Sequence, residues 1–183
     1  MTLLPIIIAP DPRLKIVAEP VSQVNDEIKQ LMEDMLETMY DAPGIGLAAP
    51  QVGSTKRVIV IDVQKCNKVE ETEEDIWVAN PICMANPEII AVSDYDCTYD
   101  EGCLSLPEYY AEVDRPETIR VRYLDENNEL QEIGAQGLLA TCVQHEIDHL
   151  DGILFVDHIT ALKRNMILRK LTKLKKQTEH KTP

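Results

Sequence analysis

Helical and strand-like patterns follow one another in this 183-residue chain without the regular β-α-β alternation that builds a parallel sheet. Apolar side chains recur at helical spacing over residues 25–40, after a capping asparagine, and again over residues 138–150. A strand is predicted over residues 57–63, and a hairpin over residues 118–133. Because helices and hairpins are mixed in this way, the sequence predicts an α+β fold.

Three further segments give weaker patterns. Residues 64–75 are polar and acidic and predict an exposed loop. Residues 77–92 predict short strand segments that Pro81 and Pro87 separate. Residues 160–176 predict a final helix, which is basic.

The composition excludes several classes of protein. Hydrophobic residues make up 44% of the chain, which is enough for a buried core. No apolar run approaches the length of about 18 residues that a membrane span needs, so we expect no membrane attachment. The net charge of −14 argues against a protein that coats nucleic acid with its whole surface. Five cysteines, an odd number, favour a reducing compartment, and we expect a cytoplasmic protein.

Charge is divided unevenly along the chain. Residues 160–183 carry eight basic side chains against one acid, Glu179, for a net charge of +7, whereas residues 1–159 carry −21. We therefore expect a main domain over 1–159 and a basic helix and tail over 160–183, a division often linked to anionic partners. The alternative is a solvated helix whose apolar side chains only pack on the domain. Those side chains are Leu162, Ile167, Leu171 and Leu174.

The second predicted helix contains the sequence His145-Glu146-Ile147-Asp148-His149. Histidines four residues apart project from one helical face, where two imidazoles can bind a single divalent ion. Glu146 follows the first of them and can reach a water molecule at that ion. The alternative is a solvated helix face with two incidental histidines, but the flanking residues are apolar and predict that this helix is largely buried.

A catalytic site of this kind usually takes three protein ligands, so a third must be found. Downstream, Phe155 stands where one known extension of the motif has a histidine, His158 is off that spacing, and the only later glutamate is Glu179. Upstream, Cys103 follows a glycine within residues 101–107, and a thiolate is a strong ligand for a borderline metal. Two alternatives remain for this cysteine. It can be a nucleophile activated by histidine, or a buried free thiol like the other four, Cys66, Cys83, Cys97 and Cys142.

A glycine-containing segment, residues 44–51, precedes the first predicted strand. A phosphate-binding loop would need a following lysine and serine or threonine, which are missing here. The simplest alternative is a plain turn. Gln51 at its end can offer a side-chain amide to an oxyanion.

Taken together and in this order, the three segments resemble the peptide deformylase family. That family carries G-x-G-x-A-A-x-Q, E-G-C-[LIV]-S and Q-H-E-x-D-H, which residues 44–51, 101–105 and 144–149 match. The resemblance extends over roughly residues 8–174. It implies an α+β fold in which antiparallel sheets surround a central metal-binding helix, with the basic helix at the C-terminus. It also implies removal of the formyl group from the N-terminal formyl-methionine of newly synthesised polypeptides, which releases formate.

The resemblance assigns roles to individual residues. Cys103, His145 and His149 would bind one divalent metal ion, with Fe2+ expected and Zn2+, Ni2+ or Co2+ able to replace it. Glu146 would be the general acid and base. The oxyanion would be bound by Gln51 and by the backbone N–H of Leu104. Residues that would line the methionine pocket are Ile45, Gly46, Tyr99, Glu101, Leu138, Thr141, Cys142 and His145.

The resemblance also bears on neighbouring residues and on partners. Arg115 is expected to pair with Glu101 and brace the cysteine loop, and Tyr110 stands where some members have a basic residue. The partners implied are formyl-methionyl nascent polypeptides and, through the basic C-terminal helix, the ribosome in a bacterial cytoplasm, without sequence-specific nucleic-acid binding. Two other functions fit parts of the pattern: a metallopeptidase built on the same helix, and a metal-binding or ribosome-associated module without catalysis.

Overall fold

A computed structural model describes residues 2–63, 65–68 and 75–179 of the chain. Its helices and strands confirm the predicted α+β class. Three short 3-10 helices cover Pro12–Lys15, Ala49–Val52 and Phe155–Asp157. The other elements, in chain order, are α1 (Asp26–Asp41), β1 (Gly46–Ala48), β2 (Val58–Ile61), β3 (Lys65–Lys68), β4 (Asp75–Val78), β5 (Ile82–Val92), β6 (Asp96–Cys103), β7 (Leu106–Pro116), β8 (Thr118–Leu124), β9 (Leu130–Gln136), α2 (Gly137–Leu150) and α3 (Ala161–Glu179).

Within the described residues, the strands form three antiparallel sheets. The largest has five strands in the order β1-β2-β5-β8-β9, and β3–β4 and β6–β7 each form a two-stranded sheet. Strand β2 is buried on both faces, which explains its uninterrupted apolar sequence. Val58 and Val60 pack in one apolar cluster with the methionines of α1, whereas Ile59 and Ile61 pack in another with α2. The five-stranded sheet therefore lies between α1 and α2.

Helix α1 forms where the apolar spacing predicts it. The Asn25 side chain accepts a hydrogen bond from the backbone N–H of Ile28 at 3.1 Å, which caps the first turn. Met32, Met35 and Met39 are almost completely buried. The predicted helix over 25–40 and its capping asparagine are therefore confirmed, and the hairpin over 118–133 is confirmed by β8 and β9.

Two predictions for the middle of the chain are wrong. Residues 64–75 are not simply a loop, because Lys65–Lys68 pairs with Asp75–Val78 in an antiparallel ladder; residues 64 and 69–74 lie outside the described part. Pro87 does not end a strand, since β5 continues through it. The ladder with β8 shifts register between Ala85 and Glu88, and this bulge tolerates a residue without a backbone N–H.

The terminal helix α3 is docked on the domain by part of its apolar face. Ile167 and Leu171 are 3% and 1% exposed, in an apolar cluster that also contains Phe155. Leu162 is 84% exposed, so the alternative in which all four apolar residues only pack on the domain is wrong for this residue. Leu174 is 48% exposed. Helical geometry accounts for Leu162, because Ile167 and Leu171 are one turn apart on one face, whereas Leu162 lies five residues before Ile167 and therefore on a different face. None of the described helices combines the length and the apolar character that crossing a membrane requires.

Candidate metal centre and active site

Helix α2 and the end of β6 bring three potential ligands together. The ligand atoms of Cys103, His145 and His149 all lie within 4.8 Å of one another, and Cys103 Sγ is 3.2 Å from His149 Nε2. Both histidines are buried, and burial is the largest of the effects that lower the pKa of His149 well below its usual value. A neutral imidazole offers a lone pair to a metal ion. The donor set of one sulfur and two nitrogens, converging from two elements, fits a single divalent ion.

A buried ion pair sets the orientation of His145. Glu101 Oε2 lies 2.8 Å from His145 Nδ1, so the other ring nitrogen is left for a metal ion. Arg115 donates to both oxygens of Glu101, at 2.5 Å and 3.0 Å, which confirms the predicted pairing of these two residues. Burial alone would raise the pKa of Glu101, but the hydrogen bonds from His145 and Arg115 outweigh it and hold the pKa below its usual value. Glu101 is therefore a carboxylate.

The Glu146 carboxyl group lies beside these ligands, with little access to water. The residue is 3% exposed, and its Oε2 has no hydrogen-bond partner among the described residues. Burial raises its pKa to about 7, and the charge of Glu101 adds to that rise. A carboxyl group without a fixed partner can exchange a proton with a reactant.

Gln51 directs its side-chain amide towards the ligand cluster. Its Oε1 accepts a hydrogen bond from the backbone N–H of Ala48 at 2.8 Å, which fixes the orientation of the amide. Its Nε2 then lies 3.4 Å from Cys103 Sγ and donates to Ser105 Oγ at 3.1 Å. The second expected oxyanion donor is the backbone N–H of Leu104, which lies in the turn between Cys103 and Ser105.

A pocket of about 520 Å³ reaches this cluster. All eight residues that the resemblance assigns to the methionine pocket line it, together with Gln51, Cys103, Leu104 and Glu146. Of the proposed site residues, only His149 does not line it, and this residue is 1% exposed. Cys142 faces the pocket with a thiol that donates to the carbonyl oxygen of Ile45 at 3.5 Å. Burial raises the pKa of this thiol well above its usual value, so that Cys142 is a neutral thiol.

The sequence did not identify much of the pocket's outer wall. Both strands of the β6–β7 hairpin contribute to this wall, and in their register Gly102 stands opposite Tyr110. The alternation of apolar and polar residues after residue 110 was a usable signal, because it predicts a strand there. Wall residues that the sequence did not assign to the pocket are Ala42, Pro43, Gly44, Asp100, Gly102, Leu106, Pro107, Glu108, Tyr109 and Tyr110, of which Tyr110 was noted only for replacing a basic residue.

Gly46 gives a direct test of how tightly this site is packed. A Cβ atom at Gly46 would overlap Glu146 Oε1 and lie 2.7 Å from Cys142 Sγ. We expect Gly46→Ala to displace the carboxyl group and lower kcat/KM by about 100-fold, since misplacement by about 1 Å can cost that much. Gly134→Ala is the matched control, because a Cβ there meets nothing within 4 Å. Equal activity of the two variants would contradict the packing around Glu146.

A buried carboxyl group beside a cysteine sulfur and two histidines, at the end of a mostly apolar pocket, is the arrangement of a metal-dependent hydrolase. Comparisons with known proteins identify the particular family. The profile described as polypeptide deformylase matches residues 3–165. A peptide deformylase from Methylocella silvestris is 57% identical over 96% of this chain and 87% of its own length.

Solved structures agree with that assignment. The crystal structure of peptide deformylase from Ehrlichia chaffeensis superposes with a TM-score of 0.87 at 39% identity, covering 97% of this chain and 99% of that one. The same enzyme in complex with actinonin gives a TM-score of 0.85 at 42% identity, covering 94% and 98%. The chain belongs to the polypeptide deformylase family.

Proposed function

We propose that this chain removes the formyl group from N-terminal formyl-methionine of newly synthesised polypeptides, with Glu146 as the general acid and base. Family membership supports the reaction. The observation that carries the role of Glu146 is its buried carboxyl group with an unpartnered Oε2, next to three converging metal ligands. The reaction adds water to the formyl carbon and releases formate and a free amine.

The proposed metal ligands are Cys103, His145 and His149. A bound divalent ion supplies Lewis acidity, which makes water a nucleophile near neutral pH. The protein's own part begins with His145, whose ring Glu101 holds in one orientation at 2.8 Å. Arg115 keeps Glu101 ionised and in place, so that the ligand geometry is set before substrate arrives.

Glu146 moves the proton. Its carboxylate takes a proton from the attacking water and delivers it to the leaving amine, which departs as a neutral group. Gly46 lies against this carboxyl group, where the absence of a Cβ leaves room for it. One side chain serves both steps, because no other unpartnered carboxyl oxygen lies buried among the described pocket residues.

Gln51 and the backbone N–H of Leu104 donate to the oxyanion that develops on the formyl oxygen. Support for Gln51 comes from its amide, which Ala48 fixes in an orientation facing Cys103. Removal of one such donor typically costs about 10²- to 10³-fold in rate. The methionine side chain enters the pocket between Ile45, Leu138 and Cys142, where burial of its apolar surface contributes binding energy.

The direct test measures formate release from a formyl-Met peptide by the metal-loaded protein. A metallopeptidase would instead cut an internal bond of the same peptide, and a module without catalysis would bind the metal ion without turnover. Either of these results would contradict the proposal, whereas formate release with an intact peptide chain supports it.

We propose Fe2+ as the native ion, on the basis of the family resemblance. Two histidines and a thiolate suit both iron and zinc. Ferrous iron and its cysteine ligand are oxidisable. In air or peroxide, the iron-loaded protein should therefore lose activity several times faster than it unfolds. Zinc-loaded protein is the control and should lose activity more slowly. Equal rates of inactivation for the two forms would contradict the assignment of iron.

We further propose that residues 1–159 form the catalytic domain in a bacterial cytoplasm and that the basic helix and tail, 160–183, contact the ribosome. Support comes from the net charge of +7 in that segment against −21 in the rest. The basic side chains on α3 that are exposed to solvent are Lys163, Arg169, Lys170, Lys173 and Lys176. An acidic body is repelled by RNA, so the attraction must come from this basic face and must weaken with salt.

The ribosome proposal predicts that charge removal on α3 weakens binding without harming hydrolysis. Lys170→Ala with Lys173→Ala should lower ribosome affinity by about tenfold at low salt, because each lost lysine removes a contact with phosphate. The salt dependence of binding should decrease as well. Substitution is preferable to truncation, because Ile167 and Leu171 pack in the core. The control is Lys29→Ala with Lys56→Ala on the body. Cosedimentation that both pairs leave unchanged would contradict the proposal, and peptide turnover should stay at the wild-type rate throughout.

A further inference from the structure

The segment that follows α2 lies against the metal-binding helix at two points. The ring of Phe155 stacks on the ring of His145, with centroids 6.4 Å apart and an interplanar angle of 22°. Three residues later, His158 Nε2 lies 2.7 Å from Asp148 Oδ2. Asp148 is the residue immediately before the ligand His149. The segment therefore contacts α2 at His145, just before Glu146, and at Asp148, two residues after it.

Asp148 connects His158 to the interior. Its Oδ2 also accepts a hydrogen bond from Arg115 Nη1 at 2.9 Å. The other donors of Arg115 hold Glu101, and Glu101 holds Nδ1 of His145. The path of hydrogen bonds thus runs from His158 through Asp148, Arg115 and Glu101 to a proposed metal ligand.

Solvent exposure of the side chains increases along this path from Glu101 to His158. The side chains of Arg115 and Glu101 are 6% and 4% exposed, that of Asp148 is 19% exposed, and that of His158 is 35% exposed. His158 is therefore the outermost member of this path. Because it binds the same Asp148 oxygen as Arg115 does, it also limits where that carboxylate can move.

The position of His158 is fixed independently of α2. Asp157, the preceding residue, accepts a hydrogen bond from the backbone N–H of Leu154 at 2.8 Å and forms ion pairs with Lys15 and with Arg164 of α3. The backbone N–H of His158 donates to the carbonyl oxygen of Phe155 at 3.1 Å. Because His158 is held by contacts outside α2, its ring N–H can keep the Asp148 carboxylate in one position. A side chain that changes rotamer freely in solvent could not do this.

We propose that His158 and Asp148 are positioning residues of the metal centre, which hold Arg115 in place so that Glu101 fixes the ring of His145. The inference rests on the proposed ligand set. His158 is not itself a fourth ligand, because its Nε2 is committed to Asp148 and it lies outside the cluster of ligand atoms. The residue that is off the metal-binding spacing in the sequence thus acts on the metal through four hydrogen-bonded contacts.

The test follows a Co2+ ion in the metal-loaded full chain, with two readouts that do not depend on turnover. The first is the visible absorption of the cobalt–thiolate centre, and the second is the rate of Co2+ release to excess chelator. Outer partners of metal ligands typically change affinity by about 10- to 100-fold, so Asp148→Asn should accelerate release within that range. His158→Leu, one contact further out, should accelerate it by about threefold to tenfold.

Two matched variants separate positioning from general destabilisation. His158→Gln keeps an N–H donor within reach of Asp148 and should release Co2+ within about twofold of the wild-type rate. Asp151→Asn removes a carboxylate from the end of the same helix, where it pairs with Arg57 at 2.6 Å, and should leave release unchanged. Circular dichroism verifies the fold of each variant, and His158→Asn, whose amide is too short to reach, replaces His158→Leu if the latter does not fold.

The outcomes distinguish this inference from the proposal on which it rests. Wild-type protein without a cobalt–thiolate band would overturn the ligand set, and the positioning role with it. A band that is present in every variant, with wild-type release from His158→Leu, would overturn the role of His158 alone. Release from His158→Gln as fast as from His158→Leu would also overturn it, because the donated hydrogen bond would then not be the cause.

Discussion

Glu146→Gln is expected to lower kcat by about 10²- to 10⁴-fold, the usual contribution of a general acid and base. The amide has nearly the shape of the carboxyl group but cannot accept and return a proton. Since Glu146 is not among the converging ligand atoms, the variant should still bind one metal ion per chain. Turnover of a formyl-Met peptide and metal content by elemental analysis are measured on the same sample.

Glu112→Gln is the control for this substitution, because Glu112 is exposed on β7 and does not line the pocket. It should keep the wild-type rate. Two results would contradict the mechanism: a metal-replete Glu146→Gln protein with wild-type turnover, or an inactive one that has also lost its metal ion. The second result would assign Glu146 to metal binding instead.

Cys103→Ser is expected to weaken metal affinity by more than about 100-fold, since even outer partners of ligands cost about 10- to 100-fold. A serine hydroxyl is a much poorer ligand than a thiolate for iron, zinc or cobalt. The Sγ atom also lies 3.2 Å from His149 Nε2, so its replacement alters the contact between two ligands. Competition with a chromophoric chelator measures the affinity of each variant.

Two other cysteines provide controls for this measurement. Cys97→Ser changes a half-buried thiol on the same strand, and it should leave the affinity unchanged. Cys142→Ser should also keep the metal ion, although Cys142 lines the pocket and its replacement can alter peptide binding. If Cys103→Ser and Cys142→Ser bind the metal ion equally well, Cys103 is not the third ligand.

The local parts of the fold could be predicted because they depend on neighbours in the chain. The stripe of methionines and Asn25 predicted α1, and the alternating runs on either side of residues 125–129 predicted the hairpin of β8 and β9. Pro87 misled the prediction, because the sequence does not show that Asn86 adopts a positive φ of 51° in a bulge. Strand β3 and the start of β4 were missed because a polar pattern predicts exposure more reliably than it predicts backbone pairing.

By itself the sequence determined the chemistry available to this protein: two histidines one helical turn apart, a glutamate between them, and a cysteine and a glutamine in separate motifs. Only the tertiary structure decided how Arg115 joins Glu101 to Asp148, why Gly46 must lack a side chain beside Glu146, and what His158 contacts. Most of these contacts depend on the β6–β7 ladder and on the packing of α2 on β1, whereas the contact of His158 with Asp148 spans ten residues across the end of α2. Helical spacing is a local property that one segment carries, whereas such contacts exist only after the whole chain has packed.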